Sequence, residues 1–169
     1  MKGQLTTEYM LSFAIFIGFI LFIYSKFSSN IPLYISEVGK ENIRSEAYQL
    51  SELLLNDAGE PASWNDPDSA KRIGLSYEGM NRSNLLSYNK ITNLNSFCNG
   101  NYNEFLKKIN FNKPFSVKLN EINSDGTRTN ILNCAPPVLE KTKVNATVRR
   151  VTSYYDGSEI KIGELIIEV

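Results

Sequence analysis

The sequence predicts an α+β fold: one long amino-terminal α-helix packed on a mainly antiparallel β-sheet head. Two observations carry this. An apolar run from Met10 to Tyr24 is followed by Ile43, Ala47, Leu50 and Leu54, spaced +4, +3, +4. That is an apolar stripe at helical period. Two Asp-Gly pairs, Asp125-Gly126 and Asp156-Gly157, are each flanked by strand-like segments, a strong hairpin signal.

The totals set bounds. A chain of 169 residues suits one globular domain plus a segment that is not part of its core. Formal net charge is zero and no basic run tracks a phosphate backbone, so nucleic acid is not an expected partner. There is no histidine, which excludes Ser-His-Asp and Cys-His catalysis and the commonest zinc ligand. No nucleophile stands with a partner base and there is no Gly-rich phosphate loop, so no catalytic residue, metal or cofactor is expected.

The first element is the helix. Between Glu8 and Lys26 lie about 17 uncharged residues, roughly 25 Å of helix, near the lower limit for crossing a bilayer. A transmembrane segment is expected at about 9–25. The helix should continue to Asn56, about 50 residues and roughly 75 Å in all. Pro32 should kink it, or Ser28-Ser29-Asn30 should cap a fresh start. Glu37, Lys40, Glu41, Arg44 and Glu46 occupy the faces beside the stripe. Asn56-Asp57-Ala58-Gly59 ends the helix and Pro61 prevents its return.

Three readings of the amino end compete. A secretory signal peptide needs a small-residue cleavage site after a shorter apolar run, and Ile23-Tyr24-Ser25-Lys26-Phe27 offers none. A plain single-span anchor explains the length but not the ordered residues before it. The third reading rests on Lys2-Gly3-Gln4-Leu5-Thr6-Thr7-Glu8-Tyr9. This stretch resembles the class III signal peptide of archaeal type IV pilin-like proteins. The family pattern is a basic residue, Gly, Gln, a small hydroxyl residue, then Glu and an aromatic. Thr6-Thr7 stands where Ser is commoner in the family.

The resemblance implies a leader of residues 1–3, cut by a prepilin-type peptidase between Gly3 and Gln4. Residues 4–58 would then be the assembly helix and 59–169 an extracytoplasmic head. It also implies other pilin-like subunits as partners, met through that helix. Gln4 would gain a free amine, and Glu8 of one subunit would pair with the Gln4 amine of a neighbour. A buried pair of that kind sets register more than it adds stability. The alternative for Glu8 is a place at the lipid headgroup level. Lys2 before the span puts the amino end in the cytoplasm. Two later stretches, Gly59-Glu60-Pro61-Ala62-Ser63-Trp64 and Leu86-Ser87-Tyr88-Asn89-Lys90-Ile91, resemble the heads of the same family more loosely.

In the head, a short strand is expected at Lys71 to Tyr77. Short helices are expected at Asn84 to Leu94 and Asn101 to Lys108. Pro114 to Ile122 and Thr127 to Asn133 should form one hairpin, and Lys143 to Tyr155 with Ser158 to Val169 another. A two-residue turn at Asp156-Gly157 would pair Val151 with Ile162, Val148 with Leu165, Ala146 with Ile167 and Val144 with Val169. Side chains alternate along a strand, so both strands then switch their apolar face near Arg149, Arg150, Gly163 and Glu164. The base of the hairpin would cover the long helix and the tip would meet something else, unless a bulge at Gly163 restores a single face.

Cys98 and Cys134 are the only cysteines. Outside the cell they suit a disulfide, the alternative being two buried thiols. Asn81-Arg82-Ser83 and Asn145-Ala146-Thr147 are N-glycosylation triplets, usable at Asn81 and Asn145 if they face the exterior. Asp57, Glu60, Asp66 and Asp68 lack the ordered oxygen spacing of a calcium loop and read as turn-forming residues. Two functions follow. One is a pilin-like subunit of a surface filament, a minor one by the size of its head. The other is a membrane-anchored extracytoplasmic binding module that does not polymerise.

Overall fold

A computed structural model of the chain describes residues 2–80, 83–137 and 146–169. Asn81, Asn145 and the expected pairing of Val144 lie outside the described residues. The chain divides into two compact units, Met1–Glu41 and Asn42–Val169.

Helix α1 spans Lys2–Asn56, with Pro32 inside it. No fresh start occurs at the Ser-Ser-Asn triplet. Ser29 Oγ instead donates back to the carbonyls of Ser25 and Lys26, at 3.0 and 3.1 Å. In the first unit every described side chain from Thr7 to Glu41 is exposed.

The second unit holds the core. The last turns of α1 bring Ala47, Leu50, Leu54 and Leu55 into it, as the helical stripe predicts, with Leu55 added. The other members come from a five-stranded sheet and a second helix, α2 (Tyr88–Ile109). Strands β1 (Gly59–Glu60) and β2 (Arg72–Ile73) form a separate two-stranded ladder. The larger sheet contains β3 (Leu85–Ser87), β4 (Ser116–Ile122), β5 (Arg128–Cys134), β6 (Thr147–Tyr155) and β7 (Ile160–Glu168). Its order is β3-β6-β7-β4-β5. All pairings are antiparallel except β3 with β6, which is parallel.

The expected α+β class and mainly antiparallel sheet are therefore present, with four local corrections. Lys71 to Tyr77 contributes only the two residues of β2 and an isolated bridge from Ser76 to Leu86. The helix expected from Asn84 begins at Tyr88, because Leu85–Ser87 is taken by β3 against Ser153–Tyr155. The two short helices are joined into α2, which breaks its helical geometry at Asn101 (φ −139°, ψ 55°), next to Gly100.

The fourth correction is register. The β6–β7 pairs are Val148 with Ile167 and Val151 with Glu164, two residues from expectation. The connection is a four-residue loop, not a two-residue turn. Asp156 Oδ1 accepts hydrogen bonds from Glu159 N, Ser158 N and Ser158 Oγ at 2.8–2.9 Å. Those bonds hold its carboxyl below the usual carboxylate range. A shift by two leaves every side chain on its expected face. The face switch is present, and pairing runs unbroken through Gly163, so no bulge restores one face. Val148, Tyr154, Leu165 and Ile167 point inward and are buried. Val151, Ile160 and Ile162 point outward and are exposed.

The hairpin base meets α1 as expected. Arg150 of β6 donates to Ser51 Oγ at 3.3 Å, forms an ion pair with Glu52 and lies over the Tyr48 ring. The β4–β5 hairpin matches its expected bounds within two residues, with a register irregularity between Leu119 and Asn120. Cys98 of α2 and Cys134 of β5 form a disulfide with Cα atoms 5.6 Å apart, both residues buried.

The bridge closes a loop across 36 residues, so the chain-entropy model assigns it about 3–4 kcal/mol. Reduction of the detergent-solubilised chain should lower its denaturant midpoint by that equivalent. An unchanged midpoint after verified reduction would show that helix α2 and strand β5 are held together without it.

Candidate functional site

Two features of the structure bear on function: the exposed apolar part of α1 and the corner where α1 ends. Gly3 and Gln4, the expected cleavage pair, lie within the span of α1, and Glu8 is exposed on it. From Tyr9 to Tyr24 the apolar side chains remain open, with Tyr9 70% and Phe19 61% exposed. The most apolar 18-residue window has a mean hydropathy of 2.0, and none of it is buried. This helix is long and apolar enough to cross a membrane by length and composition. An unburied helix that is apolar on all sides is not a core helix of its own unit.

At its carboxyl end α1 leaves carbonyl groups that no further turn can satisfy. The head supplies their donors. Leu54 O accepts from Leu75 N at 3.0 Å, and Asp57 O just beyond accepts from Ser76 N at 3.0 Å. Ala58 O accepts from Trp64 Nε1 at 3.0 Å and from Lys90 Nζ at 2.8 Å. The Trp64 indole N–H also reaches Gly74 O at 3.0 Å.

Lys90 is the centre of this corner. Its side chain is 6% exposed, and its ammonium also donates to Ala62 O at 2.5 Å and Ser76 O at 3.1 Å. It lies 5.7 Å from the Trp64 ring centroid, and Glu78 is 3.7 Å away. Burial lowers its pKa, and the nearby carboxylates of Glu78 and Asp57 oppose that. A buried ammonium is tolerated because its donors meet three carbonyl oxygens, of Ala58, Ala62 and Ser76, and the Glu78 carboxylate stands nearby.

The corner explains both looser head motifs. Gly59 adopts φ +89°, and a Cβ there would stand 2.5 Å from Trp64 Nε1. Gly74 is constrained by approach alone: its Cβ would come within 2.2 Å of Asp57 O. Gly59 and Trp64 from one motif thus meet Lys90 from the other. Trp64 and Gly59 were quoted only as part of a resemblance, and Lys90 was not singled out by chemistry. Its register offered a signal, since Lys90, Leu94 and Phe97 recur at +4 and +3 and all are buried.

The acidic residues after α1 serve turns and ion pairs. Asp57 Oδ1 accepts from Gly59 N, and Asp57 pairs with Arg72 at 2.7 Å. Asp66 Oδ1 accepts from Asp68 N. Among the described residues no three His, Cys, Asp or Glu side chains gather as a metal site would need. Comparisons with protein-family models, curated proteins and solved structures find nothing that matches the chain.

Lys90→Met should lower stability by about 3 kcal/mol, because it leaves buried carbonyls without their donor. Chemical denaturation in detergent measures this, and a loss under about 0.5 kcal/mol would remove the corner's importance. Alkaline pH supplies a second test. Burial raises the pKa of Tyr102, whose hydroxyl bonds both Phe115 O and Phe115 N, and of Tyr154. Both phenols stay protonated in the fold when the unfolded chain ionises near pH 10, so stability is complete below that pH and falls above it. Lys90 acts oppositely, because the unfolded chain retains its proton longer. Lys161, raised by its bond to Asp156, acts with the phenols, so three groups against one give a net loss, and removing both phenols by Tyr102→Phe and Tyr154→Phe should lessen the decline above pH 10.

Proposed function

We propose that this chain is a type IV pilin-like structural subunit of a surface filament, resembling the archaeal class III signal peptide proteins and serving as a minor pilin. The observation that carries the reading is the order of its amino end. A basic leader, the Gly3–Gln4 junction, Glu8 and an apolar helix follow one another. Support comes from the exposure of that helix: nothing in its own unit covers Met10 to Tyr24. Such a surface needs lipid first and neighbouring helices afterwards.

In this reading the precursor sits in the cell membrane with its amino end in the cytoplasm and its head outside. A prepilin-type peptidase removes residues 1–3. The chain is the substrate of that reaction and carries out none itself. The helix then packs with those of other subunits, and the Gln4 amine of one copy meets Glu8 of the next. The disulfide of the head suits an extracytoplasmic site.

Mass spectrometry of the mature amino terminus tests the reading. Material beginning at Gln4 is expected. An intact Met1 or Lys2 start would sink it and leave the anchored, non-polymerising module. Glu8→Ala should lower incorporation into filaments at least tenfold while membrane insertion persists, as scored by fractionation. Unchanged incorporation would deny Glu8 an assembly role.

A further inference from the structure

Between the turn that follows Trp64 and one face of α2 lies a hollow of about 390 Å³. Asn65, Asp66 and Asp68 line it from the turn, and Asn93, Phe97 and Gly100 line it from the helix at spacings of +4 and +3. Its buried lining is apolar, Pro67 and Phe97, and the rim around them is polar. The fold leaves much of that rim unused. The side chains of Asn65, Asp68 and Asn101 are exposed and take part in no hydrogen bond among the described residues. Asp66 accepts from Asp68 N through Oδ1 alone, and Asn93 donates to Asn65 O while its own amide oxygen has no partner.

Gly100 is the second pointer. A glycine inside a helix weakens it, so its presence asks for a reason. Packing within the chain supplies none, because a Cβ at Gly100 would meet nothing within 4 Å. The backbone supplies none either, since the break in α2 falls at Asn101 and Gly100 has no left-handed φ. What the missing side chain does is keep the hollow open.

We propose that this hollow binds a neutral saccharide. Its volume lies near the lower end of the roughly 300–1,000 Å³ of small-molecule sites, which suits about one or two sugar rings. A pyranose presents hydroxyl groups that each donate and accept, together with apolar C–H faces. The amides of Asn65 and Asn101 offer donors and acceptors, and the carboxylates of Asp66 and Asp68 offer acceptors. Phe97 and Pro67 give a C–H face an apolar floor. Charge narrows the ligand further. Two carboxylates on one side repel a uronate or a phosphate. A metal cation would need oxygen ligands alone, whereas the Lys108 ammonium already stands 2.8 Å from Asp68 O. The site lies wholly within the second unit, and it does not depend on the filament reading.

Retention of the full-length chain on printed oligosaccharides tests this, in a detergent without a sugar headgroup. The panel carries neutral hexoses, N-acetylhexosamines and uronic acids. Retention on neutral members is expected. Asn65→Ala and Asn101→Ala should each weaken it at least fivefold. Gly100→Leu, which fills the hollow, should weaken it at least tenfold. Asn103→Ala, exposed on the same helix outside the hollow, should leave it within twofold. None of these positions belongs to the core, so the denaturant midpoint should hold, and for Gly100→Leu it should rise as the helix gains a better former. Lost binding in a chain of undiminished stability cannot then be a folding defect. No retention on any neutral member, a preference for uronic acids, equal retention by Gly100→Leu, or a requirement for added calcium would overturn the saccharide site.

Discussion

The head depends on one constraint: the carboxyl end of α1 and the turns that follow it must find donors for their carbonyl groups inside a protein core. A helix that ends in water solves this with solvent. Here Leu54 and Leu55 are fully buried, so solvent is not available. Strand-like segment Leu75–Ser76 answers with two backbone N–H groups, and Trp64 and Lys90 answer with side chains. A lysine suits the last position because its ammonium offers three donors from one point. Three carbonyl oxygens converge on it. A buried charge set of this kind adds little net stability compared with replacing all of its members by apolar groups, but removing or misplacing one member strands the others. The corner thus specifies one path for residues 57–77 among several that would bury similar apolar area.

That path has a consequence for the sheet. Ser87 N bonds Leu75 O and Tyr77 N bonds Leu85 O, so the segment leaving the corner lies against β3. Strand β3 pairs with β6, and β6 reaches back to α1 through Arg150. The circuit from helix end to sheet edge to helix is closed by hydrogen bonds at each step. The disulfide adds a second closure on the opposite edge, joining α2 to β5.

Local signals in the sequence were legible and long-range ones were not. The stripe Ile43, Ala47, Leu50, Leu54 is a local pattern, and its core-facing role follows from helical period alone. The Asp-Gly pairs located both hairpins for the same reason. Register escaped because an Asp carboxylate at the start of the loop captures three donors, and that lengthens the loop to Asp156–Glu159. Leu85–Ser87 read as helix since it runs directly into α2. Its parallel partner lies 68 residues away, beyond any local window. Lys90 was hidden by residue type, since a lone lysine in a helix usually faces water.

The same physics explains why the exposed apolar surfaces are where they are. The chain had the means to cover them. It buries Leu85 and Ile166 on the outer sheet face and Ala47, Leu50 and Leu54 of the stripe in the last turns of α1, with Ile43 half-buried. A β-strand alternates strictly, so moving Val151, Ile160 and Ile162 inward would require a bulge, and the ladder has none at Gly163. The face switch is thus built into the alternation of residue types along both strands. The two paired strands carry the switch two residues out of step, and Val151 still lies diagonal to Ile162 on one face. With the helix from Met10 to Tyr24 this face makes a monomer that exposes apolar surface in each of its two units.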